Sequence, residues 1–412
     1  MADVLFAAPF AMDNTMRFLR TVGALPGVRL GVLSQDPIER FPEDVRAMLQ
    51  GFAQVSNALE VDPIVGGVRD LARQLGGNRG GGNIDALFGI LEQAQEPLAV
   101  VRERLGLPGL SAEAARNFRD KARMKDVLRA HGLPCAGHGM AASAAEALQV
   151  AEQLGYPLVA KPPAGAGAKA TQRVDRQADL QSYLRSVKPS AASPLLLEQF
   201  VTGREFSFDS VSVGGRHVFH SISCYAPAPL KVLAEPWIQW AVLLPRDIGT
   251  PEFAAIHDAG PRALSALGMG TGITHMEWFQ RDDGSIAISE VAARPPGAQF
   301  MTLLSHAHGI DFYRAWAELM VYGHFTPPTR RYAAGAVYLR GQGSGKVVAV
   351  HGLEQVQREL GDVVVDAQLP QPGQAPSGSY EGEGYVILRH QDTDVVAKGL
   401  QRVASLLRVE LG

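Results

Sequence analysis

The chain has 412 residues, of which 46% are hydrophobic and 20% are charged, so it is long enough for about three domains and too apolar for wholesale disorder. Lys and Arg number 39 against 42 Asp and Glu, and this formal net charge of −3 gives no electrostatic attraction for nucleic acid or an anionic membrane. Only two cysteines, no eighteen-residue apolar stretch and a start without a basic segment favour a multidomain α/β protein of the cytoplasm.

Short apolar runs alternate with helical patterns near the start of the chain. The runs at 4–8, 28–33 and 84–88 predict strands, and their alternation with helices predicts a parallel sheet. The Gly-rich segment 76–82 comes before a strand and does not join a strand to a helix, so we interpret it as a surface loop. We assign residues 1–115 to an N-terminal α/β domain.

The middle of the chain predicts a mixed α+β domain over residues 116–327, with a mobile lid at about 130–200. Its predicted helices and strands are 111–132, 142–154, 156–161, 195–198 and an antiparallel pair, 205–213 with 217–223, turning at two glycines. The segment 227–245 is irregular and is either a substrate loop or a packed connector. Residues 328–412 form a C-terminal α+β domain with strands at 334–340, 346–350 and 385–389 and a final amphipathic helix.

Two glutamates flank the strongest hairpin signal in the sequence, Asp283-Gly284. A two-residue turn there places Glu277 directly opposite Glu290, with Phe279 opposite Ile288 on the same face. Like charges opposed in this way destabilise a sheet, and a divalent cation between them removes the repulsion. Paired carboxylates suit Mg²⁺ that carries a nucleotide's phosphates. The alternative is a solvated pair neutralised by Lys or Arg.

The same register gives two further candidates. His275 lies opposite Ala292 on the glutamates' face, and Arg294 follows Glu290 closely on a short Ala-Arg-Pro-Pro segment. An arginine at this place can hold a carboxylate with two parallel hydrogen bonds. His275 is a candidate base toward an amine, and a structural or substrate-contacting histidine is the alternative.

A second group of candidates lies at the ends of two apolar strands. Lys161 ends one strand and precedes a loop containing Gly165 and Gly167, whose backbone can approach phosphate oxygens. Glu198 ends the other, and Glu205 follows seven residues later. A chain leaving a strand there can offer backbone groups to an adenine and a carboxylate to ribose hydroxyls. Each segment alone is also consistent with an ordinary strand end or surface loop.

Taken together and in this order, the segments resemble the ATP-grasp superfamily, and within it the amino acid ligase group. The resemblance covers residues 116–325 and includes Asp120-Lys121, the strand ending at Lys161, the 198–201 stretch, and the two glutamates. It implies these roles: Lys121, Lys161, Gly165 and Gly167 at the phosphates, Glu198, Gln199, Phe200 and Val201 at the adenine, Glu205 at the ribose, Glu277 and Glu290 on Mg²⁺, and Arg294 and His275 at the reacting groups.

One position departs from the family pattern, because Ala292 stands where many members carry an asparagine metal ligand. The resemblance implies an ATP- and Mg²⁺-dependent ligase, with Mn²⁺ as a substitute metal, that activates a carboxylate as an acyl phosphate and couples it to an amine. Alternatives are a bicarbonate-using carboxylase of the biotin carboxylase or purine-pathway type, and an inactive ATP-binding regulatory protein. We expect small-molecule partners, no nucleic acid and no membrane, and the oligomeric state stays open, a homodimer being one alternative.

Overall fold

The computed structural model describes residues 1–76, 84–164, 171–235 and 237–412. None of the helices in these ranges combines the length and apolar character that crossing a bilayer requires. The helices are α1 (Asp13–Gly23), α2 (Glu43–Arg46), α3 (Val61–Gly76), α4 (Gln95–Leu105), α5 (Ala112–Arg119), α6 (Lys121–Ala130), α7 (Ala144–Leu154), α8 (Gln177–Val187), α9 (Pro229–Ala234), α10 (Ala254–Ala266), α11 (Phe300–His308), α12 (Phe312–Tyr322), α13 (Leu353–Leu360) and α14 (Thr393–Leu406).

The strands form several separate sheets. They are β1 (Ala2–Ala7), β2 (Val28–Ser34), β3 (Leu49–Gln54), β4 (Ala86–Phe88), β5 (His138–Ala141), β6 (Leu158–Lys161), β7 (Gln172–Val174), β8 (Leu195–Gln199), β9 (Arg204–Val213), β10 (Arg216–Ala226), β11 (Trp240–Leu244), β12 (Gly272–Gln280), β13 (Ile286–Ala292), β14 (Ala333–Leu339), β15 (Gly341–Gly343), β16 (Val347–His351), β17 (Val364–Gln368), β18 (Gly384–His390) and β19 (Arg408–Leu411).

The N-terminal sheet is parallel, in the order β3-β2-β1-β4, which confirms the α/β prediction for this part of the chain. Its strands are apolar on both faces because helices cover both, and this explains the continuous apolar runs of the sequence. One face packs through Phe6 and Phe88 against Trp316 of α12, and this contact joins the N-terminal sheet to the middle of the chain.

The central sheet has eight antiparallel strands in the order β13-β12-β9-β10-β11-β14-β18-β17. Its strands come from both sides of residue 327, so hydrogen bonds between β11 and β14 run across the boundary assigned from the sequence. The hairpin β9–β10 turns at two glycines as predicted. The mixed architecture confirms the predicted fold class.

The segment assigned to the lid contains a small antiparallel sheet, β5-β8-β6-β7, covered by α7 and α8. Small apolar side chains on α7, Ala147 and Ala151, allow the helix to pack closely on the sheet. β6 and β8 are antiparallel neighbours, with Lys161 opposite Leu196 and Val159 opposite Glu198. This register leaves Lys161 and Glu198 two residues apart on adjacent strands, so their side chains lie on the same face of the sheet.

The helical pattern predicted over 111–132 is wrong as a single helix, because the structure breaks it into α5 and α6 at Asp120. Asp120 has an extended backbone, and its carboxylate accepts hydrogen bonds from the backbone N–H of Ala122 and Arg123. Asp is a strong N-cap residue, and this capping signal outweighs the continuous helical periodicity. The break aims the first turn of α6 at the hairpin β12–β13.

The irregular segment 227–245 is mostly a packed connector. It contains α9 and β11, and Trp240 is buried in the core between Tyr225 and Tyr338. The Arg340 guanidinium donates hydrogen bonds to three backbone carbonyls of this segment, which satisfies the end of α9.

Candidate active site

The hairpin β12–β13 places Glu277 directly opposite Glu290, as the sequence predicts. His275 is opposite Ala292, also as predicted. The neighbouring strand β9 adds Ser207 beside Glu277 and Asp209 beside His275. Four polar side chains of two adjacent strands therefore share one face of the central sheet.

The predicted pairing of Phe279 with Ile288 is wrong, since Phe279 pairs with Ala287. The turn is longer than two residues, because the Arg281 N–H bonds to the Ser285 carbonyl and shifts the register by one. A bulge between the Glu277 and Trp278 pairs then shifts the register back. The two departures cancel at the glutamates, which is why the predicted pairing of Glu277 with Glu290 holds.

Cationic side chains of the protein itself offset the negative charges of the two glutamates. The Lys121 Nζ donates to Glu290 Oε1 at 2.7 Å, and the His275 Nε2 lies 3.7 Å from Glu277 Oε1. Burial raises the pKa of Glu277, but the hydrogen bond and charge of His275, with Lys121 and Lys161, outweigh it and hold that pKa below its ordinary value. Two facing carboxylates whose negative charges must be offset by nearby cations can also bind a divalent metal ion.

The described residues contain no group of three or more His, Cys, Asp or Glu side chains arranged as a metal site. Ala292, opposite His275, adds no oxygen or nitrogen ligand from its side chain. The donor set is thus two carboxylates, which suits Mg²⁺ because this ion keeps several waters and binds substrate phosphates.

His275 is part of a buried chain of polar groups. Its Nδ1 lies 2.5 Å from Asp209 Oδ1, Asp209 accepts from the Ser207 hydroxyl at 2.8 Å, and the Tyr225 hydroxyl lies 3.4 Å from the His275 Nε2. Burial lowers the pKa of His275, but Asp209 and Glu277 raise it to about 10. This shift favours the protonated imidazole, which donates hydrogen bonds from both ring nitrogens.

The candidates at the ends of the two apolar strands, Lys161 and Glu198, meet in a buried ion cluster. The Lys161 Nζ lies 2.9 Å from Glu198 Oε2, and the Lys125 Nζ lies 3.5 Å from Glu198 Oε1. Burial raises the pKa of Glu198, while Lys125 and Lys161 lower it more, so the carboxylate stays ionised. The Glu198 side chain thus contacts Lys161, a candidate phosphate ligand. The backbone of residues 199–201 stays the candidate adenine contact.

The residues after Glu198 continue past the end of β8. The Gln199 side chain is used structurally, since its oxygen accepts from the Gly137 N–H at 3.1 Å and its nitrogen donates to the Leu154 carbonyl. Arg173 lies over the Phe200 ring at 4.3 Å, and Val201 is half-buried.

Glu205 lies on the same face as Glu277, because β9 pairs it with Phe279 two residues farther along β12. Burial and the nearby Glu277 raise the pKa of Glu205 well above its ordinary value. The predicted phosphate-loop glycines, Gly165 and Gly167, lie outside the described residues.

Arg294 lies beyond β13 and is held by an acid from the N-terminal part of the chain. Its Nε donates to Glu92, and its Nη1 donates to the Pro295 carbonyl at 2.9 Å. Arg119 adds a second cation 3.7 Å from Glu92. Burial lowers the pKa of Arg294, and Glu92 and Glu290 raise it more, so the guanidinium is charged.

Sequence reasoning missed three residues of this site, namely Glu92, Asp209 and Lys125. Lys125 had a usable signal, because it lies four residues after Lys121 and therefore on the same face of α6. Asp209 stands two residues from Ser207 in an alternating run, but nothing in the sequence pairs that run with His275. Glu92 lies more than 180 residues from Glu277, and no local pattern marks it.

Comparison with known proteins is consistent with this geometry. Residues 126–308 match the sequence model of the ATP-grasp domain. The chain is 26% identical over 247 residues to the L-arginine-specific L-amino acid ligase of Bacillus subtilis, covering 58% of this chain and 59% of that protein. The matched parts span between about half and three fifths of the length of the first curated relatives.

The fold is also shared with solved structures. L-amino acid ligase from Bacillus licheniformis superposes with a TM-score of 0.75 at 20% identity, over 100% of this chain and 99% of that one. N5-carboxyaminoimidazole ribonucleotide synthetase from Thermotoga maritima superposes with a TM-score of 0.68 at 17% identity, over 100% of both chains. The resemblance seen in the motifs is confirmed: residues 126–308 match the ATP-grasp domain, and the chain is similar to L-amino acid ligases.

Proposed function

We propose that this protein is an ATP-dependent carboxylate–amine ligase that acts on an amino acid or small peptide. The observation that carries the proposal is the convergence of a carboxylate pair, two lysines and an arginine at one end of the central sheet. Glu277 and Glu290 face each other, Lys121 contacts Glu290, and Arg294 lies just beyond β13. This is the charge distribution that a magnesium nucleotide and a carboxylate substrate require.

The reaction follows from the chemistry of carboxylates. A carboxylate oxygen attacks the γ-phosphorus of ATP, ADP leaves, and the resulting acyl phosphate has a good leaving group. An amine then attacks the acyl carbon, phosphate leaves, and the nitrogen releases its proton to solvent. Mg²⁺, held by Glu277 and Glu290, would draw charge from the phosphate oxygens during transfer. Lys121 and Lys161 would bind phosphates, since both ammonium groups already contact anionic oxygens.

An amino acid substrate is favoured by the pairing of Arg294 with Glu92. A guanidinium can bind the substrate carboxylate or its acyl phosphate, and an adjacent carboxylate can bind an ammonium group. Both side chains are largely buried, so each interaction would be strong once water is excluded. His275, as a cation held by Asp209, would stabilise negative charge near the glutamates and would not act as the first proton acceptor.

ADP formation screened against mixtures of amino acids, with and without bicarbonate, tests the proposal. We expect ADP release that depends on an amino acid pair and on Mg²⁺. Glu290→Ala should abolish it, whereas Glu354→Ala, an exposed glutamate of α13, should leave it unchanged. Release that requires bicarbonate and no amino acid would favour a carboxylase, and no release under any condition would favour a regulatory ATP-binding protein.

A further inference from the structure

The position of Glu290 depends on one extra residue in β13. Pairing runs from Trp278 opposite Ile288 to Glu277 opposite Glu290, so Ser289 has no partner on β12. Ile288 and Val291, three residues apart, both pack into the same core, which a regular strand does not allow. Without the extra residue, the side chain of Glu290 would point to the opposite face of the sheet, away from Glu277.

The backbone of this bulge is held from outside the sheet. The Lys125 Nζ donates to the Ser289 carbonyl at 2.7 Å, and the Ile288 N–H donates to the Pro134 carbonyl at 2.8 Å. The Val291 N–H bonds to the Met124 sulfur at 3.1 Å. α6 and the loop after it therefore bond to backbone groups of β13, an edge strand of the sheet, at Ser289 and on both sides of it.

Lys125 is the charged member of these contacts and is 0% exposed. Its ammonium also lies 3.5 Å from Glu198, which the Lys161 ammonium contacts at 2.9 Å. The Lys125 ammonium thus contacts both the backbone next to Glu290 and the carboxylate of Glu198. An ammonium this deeply buried is expensive unless both contacts persist, which favours a fixed geometry.

We propose that Lys125 is a positioning residue that fixes the Ser289 bulge and thereby keeps Glu290 on the metal-binding face, and that it links this register to Glu198. The inference rests on the proposed function, because it takes Glu277 and Glu290 as the magnesium ligands. Lys125 itself contacts neither the metal nor the phosphates in this role; it acts through the Ser289 carbonyl and the carboxylate of Glu198.

The test uses the full chain with three substitutions. Lys125→Met removes the donor and the charge at similar length, Lys125→Gln keeps an N–H donor without the charge, and Lys398→Met is the control, an exposed helical lysine on α14. Mn²⁺ binding is measured by electron paramagnetic resonance, and hydrogen exchange of residues 286–292 is measured on metal-free protein. We expect Lys125→Met to weaken Mn²⁺ binding by about tenfold or more and to speed exchange, with Lys125→Gln intermediate and Lys398→Met unchanged.

The outcomes separate this inference from the proposed function. If the unsubstituted protein binds no Mn²⁺, or if Glu290→Ala binds it as well as the unsubstituted protein, the metal assignment itself fails. If Glu290→Ala loses binding while Lys125→Met keeps wild-type binding and wild-type exchange, the role of Lys125 is overturned and the metal assignment stands. Should Lys125→Met fail to fold, Lys125→Gln decides: weaker binding with faster exchange supports the role, and wild-type values for both overturn it.

Discussion

Neutralising Glu198 should destabilise the protein because it leaves two buried lysines without their shared counter-ion. Glu198 is 5% exposed, and its oxygens lie 2.9 Å from Lys161 and 3.5 Å from Lys125. At an effective dielectric constant of about 20, these distances correspond to attractions of about 6 and about 5 kcal/mol before desolvation is subtracted. Breaking one side of a buried ion pair typically costs about 3–5 kcal/mol net, and we expect Glu198→Gln to lower the free energy of unfolding by this amount.

The loss of stability caused by Glu198→Gln should be larger at low pH than at high pH. Without Glu198, burial and mutual repulsion lower the pKa values of Lys125 and Lys161 in the folded state below their unfolded values. The unfolded chain then binds more protons, so the stability of Glu198→Gln rises as pH increases toward the unfolded lysine value of about 10.4. The deficit relative to the unsubstituted protein should therefore be larger at pH 6 than at pH 9.

Urea titration at the two pH values measures the effect. The matched control is Glu152→Gln, which neutralises an exposed glutamate on α7 in the same part of the chain and should change stability little. A Glu198→Gln protein that unfolds like this control, or whose deficit is the same at pH 6 and pH 9, would refute the reasoning about the buried cluster.

Three other predictions concern the site and its frame. Gly203→Ala should lower stability by about 1–3 kcal/mol, because Gly203 has φ +147 and a Cβ would lie 2.3 Å from the Gln280 carbonyl oxygen; thermal unfolding checks this against Gly66→Ala, where the added Cβ meets open space. Asp209→Asn should lower the pKa of His275 from about 10, as followed by NMR titration of metal-free protein, and the stability difference from wild type should shrink as pH rises from about 6.5 to 10. Removing metal with EDTA should stop ADP formation, and Mg²⁺ or Mn²⁺ should restore it; activity that survives chelation would count against a metal nucleotide as substrate.

The sequence predicted the elements that local patterns encode. Apolar runs identified most strands, and the Asp283-Gly284 turn identified the hairpin and the facing pair, Glu277 and Glu290. The Ser289 bulge was not predictable, because the contacts that hold it come from α6, which lies more than 150 residues earlier in the chain. The turn length was missed because Asp283-Gly284 fits a two-residue turn and also a three-residue turn that ends in a left-handed glycine. The pairing at the glutamates was right only because the shift at the turn and the shift at the bulge cancel.

Residues that enter the site from distant segments were the hardest to predict. Asp209 and His275 meet through strand order, and strand order is a property of the whole sheet. Glu92 reaches Arg294 from the N-terminal part of the chain, so its role depends on how that part packs against the central sheet. Periodicity reports which face of an element is apolar and carries no information about such long-range neighbours.

The bonds at the outer side of β13 also affect how this chain can meet another. β13 ends the order of the eight-stranded sheet, and an edge strand with open N–H and C=O groups is a template for pairing with a second molecule. Here Pro134, Met124 and Lys125 already occupy N–H and C=O groups along that edge. Intermolecular strand addition at this edge would require α6 to detach, so the same contacts that align the glutamates also protect the protein from aggregation there.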